Sequence, residues 1–181
     1  MHQLIQPLHI TRRVITTLIA LSIAGLPQIS RAQGKVFILT LEGFEKSQFF
    51  KSYKTLSKSN YPLKTGGTNY SYGFADTDGT NQKISVELSS APSFLTRLGI
   101  SFYGSSLSSP ATFSQSREKF LRDLLSSTHP DIPIEKVIEL VKSEQRRAYD
   151  GGSTQMPRIP IGNTSVFIGT VGADLIVGLS R

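Results

Sequence analysis

Apolar and polar residues alternate most strictly at the end of the chain. Val166, Ile168 and Thr170 precede Gly172-Ala173, and Leu175, Val177 and Leu179 follow it. A two-residue turn with glycine first predicts a β-hairpin. Its register pairs Thr170 with Leu175, Ile168 with Val177 and Val166 with Leu179. These pairs share one nearly all-apolar face, which must meet the core, because a slip by one residue would expose the whole set. On the other face Phe167 stands opposite Gly178, where the ring can cover a glycine that would otherwise weaken the strand.

Other segments read less sharply. Lys35 to Leu41 (KVFILTL) is a short apolar run and predicts a strand. Over 42–58, Phe49, Tyr53 and Leu56 follow helical spacing, with Lys51, Lys54 and Lys58 on the opposite side, which predicts an amphipathic helix. Residues 60–72 are polar and turn-rich. Tyr70, Tyr72 and Phe74 alternate before the turn-forming stretch Asp76–Asn81, and Ile84, Val86 and Leu88 alternate after it, predicting a hairpin. Leu98, Ile100 and Phe102 mark another strand, entered through Ala91-Pro92.

Two helices come next. Thr112 and Gln115 fit a capping box, and Phe120, Leu121, Leu124 and Leu125 form one apolar face. The link from His129 to Pro133 ends that helix. Ile134, Val137, Ile138 and Val141 give the stripe of a second, closed by Gly151-Gly152, with Arg146 and Arg147 near its negative end. The expected order is strand, helix, three strands, two helices, two strands. Hairpin connections imply an α+β fold: an antiparallel sheet with two or three helices on one face, ending in a β-hairpin.

The N-terminal segment has a different character. Arg12 and Arg13 precede an apolar run, Val14 to Leu26, then Pro27 and Ser30-Arg31-Ala32. The run is too short for the ~20 residues that span a bilayer, and it suits a signal peptide cut after Ala32. An uncleaved anchor is the alternative. Thr11-Arg12-Arg13 resembles part of a twin-arginine export motif but lacks its Lys. Residues 1–32 are therefore expected to be a leader and 33–181 a single domain, secreted or periplasmic, with no transmembrane span once the leader is removed.

Composition then changes the picture in two ways. The leader holds three arginines and no acid, so the formal net charge falls from +7 to +4 in the remaining 149 residues. The chain has no cysteine, so an exported domain must rest on its core without disulfides. That also removes the lipid-attachment cysteine of a lipoprotein, cysteine zinc sites and cysteine nucleophiles.

Candidate chemistry is sparse. His129 is the only histidine after the leader, and no G-x-S-x-G elbow accompanies it. Ser116-Arg117-Glu118-Lys119 and Lys64-Thr65-Gly66 match short motifs of penicillin-binding proteins, but in reversed order and without S-D-N between them. Asp76, Asp78 and Asn81 around Gly79 resemble the start of a calcium loop. A hairpin turn accounts for the same residues better, and no acid closes the loop outside the predicted strand. No pair of acids has the distinctive setting of glycoside cleavage.

The sharpest candidate is the basic and aromatic segment 46–72. Lys46, Lys51, Lys54, Lys58 and Lys64 supply charge, and tyrosines such as Tyr61 can stack on sugars or sit at a lipid interface. An ordinary helix with a solvated lysine face accounts for the pattern better still. The expected partner of a binding site there is an anionic polysaccharide, a lipid headgroup or an envelope protein. Nucleic acid fits poorly with export. No cofactor is expected. The functional expectation is an exported non-catalytic binding or accessory module of the periplasm or cell surface; the alternative is a small hydrolase of unrecognised type.

Overall fold

Among the described residues, eleven elements follow one another: α1 (Leu41–Glu45), α2 (Gln48–Ser52), β1 (Thr55–Pro62), β2 (Thr68–Ala75), β3 (Lys83–Ala91), β4 (Phe94–Phe102), α3 (Gln115–Thr128), α4 (Ile134–Tyr149), β5 (Arg158–Ile161), β6 (Thr164–Val171) and β7 (Asp174–Ser180). This is a computed structural model, and it describes residues 39–64, 66–76, 83–91, 94–104, 113–152, 158–172 and 174–180. The leader, the serine-rich stretch 105–109 and Thr112 lie outside the described residues. The strands form one sheet in the order β1-β2-β3-β4-β7-β6-β5, and every neighbouring pair is antiparallel. The fold is α+β, with an antiparallel sheet as the alternating pattern predicts.

One face of the sheet makes the core. Tyr72 and Phe74, Ile84 to Leu88 in alternation, Leu98, Ile100 and Phe102, Val166 and Ile168, and Leu175, Val177 and Leu179 are all buried there. The helices send their own apolar residues to the same cluster. Phe49 of α2 and Phe120 of α3 stand edge to face at 5.1 Å, and both rings meet Phe74. Val137, Ile138 and Val141 of α4 are buried as their spacing predicts.

The terminal hairpin has the predicted register. Thr170 pairs with Leu175, Ile168 with Val177 and Val166 with Leu179. Gly172 has φ 58°, a left-handed conformation that suits the glycine placed first in the turn. A Cβ on Gly178 would fall inside the Phe167 ring, so the ring takes the space a side chain would need. The β2–β3 hairpin also pairs as the alternation predicts, with Phe74 opposite Ile84 and Tyr72 opposite Val86.

Several expectations are corrected. Residues 42–58 are not one helix. Thr40 caps α1 and Ser47 caps α2, each accepting a backbone N–H, so the chain restarts after Lys46. Tyr53 is already extended (φ −114°, ψ 131°), and Thr55 begins a strand that pairs along β2. Backbone pairing to a sheet edge outweighs a weak helical pattern here. Phe49 is buried and Tyr53 packs on the core as expected, but Leu56 is 52 % exposed and holds nothing.

Residues 60–72, read as turn-rich, are the end of β1, a short turn and the start of β2. Of the predicted strand 35–41, residues 35–38 lie outside the described residues, Leu39 is buried with its carbonyl accepting from Leu95, and Leu41 opens α1. Ser114, not Thr112, caps α3 by accepting from the Arg117 N–H. The short strand β5 was not expected.

Both sheet edges are poor templates for another strand. β1 has a register shift between Thr55 and Ser57, and it carries Lys58 and Pro62. β5 has four residues, one of them Pro160. Bulges, lysine, proline and short length are the usual protections of an edge.

Candidate functional site

The lysines of segment 46–64 do not share one helix face. Lys46 pairs with Glu42 across α1 at 2.5 Å. Lys51 is exposed on α2, Lys54 in the link to β1, and Lys64 in the β1–β2 turn. Lys58 lies on the core side of β1, where it pairs with Glu45 and stands 5.6 Å from the centre of the Tyr72 ring. Glu45 also accepts from the Tyr72 hydroxyl at 2.5 Å.

The Lys58 hydrogen bond, and after it that of Tyr72, holds the Glu45 carboxyl below its ordinary pKa. Burial first, and then Glu45, pushes the Tyr72 hydroxyl well above the ordinary tyrosine value. A lowered carboxyl pKa favours the folded state above the unfolded value and loses that effect as pH falls through the folded one. Lys58 is therefore part of a structural contact, and the proposed lysine patch reduces to Lys51, Lys54 and Lys64 with Lys46 nearby in sequence.

Asp76 has a cationic partner. Arg117 donates to its Oδ2 from Nε at 2.8 Å and from Nη2 at 2.6 Å. A metal ion at Asp76 would meet that guanidinium. Asp78 and Asn81 lie outside the described residues, and among the described residues no group of three His, Cys, Asp or Glu side chains could hold a metal. His129 is buried at the end of α3, with Nδ1 3.1 Å from the Thr128 hydroxyl. Ser116 contacts Ser114, and Lys119 pairs with Asp123.

Two open hollows stand out. One, of about 420 Å³, lies between α2 and α3 and is lined by Gln48, Ser52, Lys119, Asp123, Ser126 and Ser127 over Phe49. Its ionic groups are spent on each other. Asp123 accepts from Lys119 at 2.5 Å and from the Tyr53 hydroxyl at 2.7 Å. Burial and then Asp123 raise the Tyr53 pKa well above the ordinary value.

The other hollow, of about 250 Å³, lies on the outer face of the sheet. Pairing places Glu87, Gly99, Gly178, Phe167 and Arg158 in one row across β3, β4, β7, β6 and β5. The next row runs from Tyr61 through Asn69, Ser89 and Arg97 to Ser180. Both rows alternate with buried core residues, so they point away from the helices.

Tyr61, 47 % exposed, accepts from Asn69 Nδ2 at 2.8 Å, and Asn69 Oδ1 accepts from Ser89 at 2.8 Å. Tyr61, one of the predicted binding residues, thus belongs to this face rather than to a turn-rich loop. Arg97 and Arg158 are exposed and form no ion pair with any described residue.

Arg97, Arg158, Glu87 and Phe167 were not foreseen as site residues. A charge out of phase with apolar neighbours is what any solvated strand face carries. The sharper signal is glycine inside a strand, at 99 and 178, which marks a close approach of backbone, ring or ligand. Comparison of the chain with protein-family models, with curated proteins and with solved structures gives no match.

Proposed function

We propose that the protein is an exported, non-catalytic binding module of the periplasm or cell surface, and that the outer face of its sheet holds an anionic partner. The observation that carries this reading is the pair Arg97 and Arg158, both without an ion pair among the described residues, beside one hollow. A guanidinium offers a planar fork of donors to a carboxylate or phosphate. Protected edges favour docking on the face over strand addition. Lys51, Lys54 and Lys64 add positive potential that steers an anion without specifying it.

The test is binding of the full chain to an anionic matrix at ~0.1 M salt, where the Debye length is ~10 Å. Arg97→Glu with Arg158→Glu should weaken retention at least about tenfold, the worth of one lost charge-assisted contact. Lys51→Glu, Lys54→Glu and Lys64→Glu together should weaken it less, and mainly at low salt. The reverse ranking would move the site to the lysine segment. Equal retention of all three proteins would sink the reading.

Export makes a separate prediction. Secreted protein should begin at Gln33, and intact mass would check it. Full-length chain held in membranes would mean that the N-terminal segment is an anchor.

A further inference from the structure

We infer that the outer-face hollow takes one carboxylated sugar unit of an acidic polysaccharide lying across the strands. The inference rests on the binding reading above and names the ligand chemistry.

The floor of the hollow contributes the first argument. Gly99 lines it and is paired directly with Gly178, which lies under the Phe167 ring. Gly178 is required there because Phe167 covers it. Gly99 is not: its φ is not positive, and an added Cβ would meet only Glu87 Cβ at 3.7 Å and Glu87 O at 4.0 Å. Packing accepts a side chain at 99, so glycine there keeps the hollow open and the backbone within reach of a ligand.

The walls contribute the second. The Phe167 ring, half-buried over Gly178, is a recessed platform for the apolar face of a sugar ring. Glu87, Ser89 and Ser180 line the same hollow with groups that accept from and donate to hydroxyls. Arg97 and Arg158 supply forks for carboxylate. Glu87 can accept from the hydroxyls of a sugar, which a bare phosphate group does not offer. A flat lipid surface would not reach a recessed ring. A chain can, and the row continues through Ser89 and Asn69 to Tyr61 at the sheet edge. The seven strands span about 29 Å at the usual inter-strand spacing, room for several sugar units.

Three probes separate the outcomes: sodium polygalacturonate, its fully methyl-esterified form, and vesicles rich in phosphatidylglycerol. Titration calorimetry of the full chain should show binding to polygalacturonate and at least tenfold less to the ester. Gly99→Val should weaken that binding at least tenfold with an unchanged melting temperature. Arg97→Ala with Arg158→Ala should do the same, and Arg97→Lys with Arg158→Lys should restore part of it. Vesicle binding that depends on the arginines, without polygalacturonate binding, would overturn the sugar inference and leave the anion-binding face standing. Binding of polygalacturonate unchanged by Gly99→Val and by the alanine pair would overturn the placement at this hollow. Binding of none of the three probes would overturn the sugar inference, and retention on the anionic matrix would then decide the broader reading.

Discussion

Ile168→Asp will lower stability by at least about 4 kcal/mol, since truncating a buried Ile costs 2–5 and a desolvated carboxylate adds to that. Ile168 is 5 % exposed and lies opposite Val177, in the row of the terminal hairpin that faces the helices. Domains of this size hold only about 5–15 kcal/mol in total, and each kcal/mol moves the melting temperature by about 2–4 °C. The melt should therefore fall by roughly 8 °C or more, and the variant is expected to express poorly. Val171→Lys is the matched control. Val171 is exposed on the same strand and pairs with Asp174, so a lysine there should shift stability by less than about 0.5 kcal/mol. Thermal melts of the two variants beside the parent decide the matter. An unchanged melt for Ile168→Asp would mean that this face is not core.

Arg117→Ala should cost a comparable amount, about 3–5 kcal/mol, because it strips the cation from a buried carboxylate. The two side chains are 8 % and 1 % exposed, and Arg117 Nη2 also donates to the Tyr103 carbonyl at 3.0 Å. One guanidinium thus ties the first turn of α3 to the ends of β2 and β4. The cost comes from the orphaned charge rather than from the worth of the pair. Arg117→Met combined with Asp76→Leu, which removes both charges, should recover most of the loss. Urea denaturation of the single and double variants measures the coupling. A double variant as unstable as Arg117→Ala would assign the loss to packing of the arginine stem instead.

The core face and the proposed binding face are opposite faces of the same strands, so stability and binding should be separable. Core-face changes such as Ile168→Asp act on the melt. Outer-face changes at Arg97, Gly99 and Arg158 should act on binding and leave the melt alone. Phe167 is the exception, because its ring both fills the space over Gly178 and forms the platform of the hollow. Truncating it would confuse the two effects, and for that reason the variants proposed for binding avoid it.

Local patterns were sufficient where turn chemistry and burial agree. The hairpin 164–180 could be read to the residue, because Gly172 sets the turn and a strand with one buried face tolerates no slip. The β2–β3 hairpin and the helices Gln115–Thr128 and Ile134–Tyr149 were legible for the same reason: each buries a continuous stripe whose period survives in the sequence. Only the tertiary structure decided residues 41–62. Phe49 and Tyr53 bury themselves as a helix face would, but β2 offers β1 a ladder of backbone hydrogen bonds that no local pattern records. β5 escaped notice because four residues with a proline carry too little alternation. The outer-face site depends wholly on strand order. Glu87 and Arg97 on one side, and Arg158 and Phe167 on the other, meet only because β7 inserts between β4 and β6 and brings the two halves of the sheet together. A solvated polar face carries no periodic signature of its own, so its residues read singly as surface until the pairing assembles them.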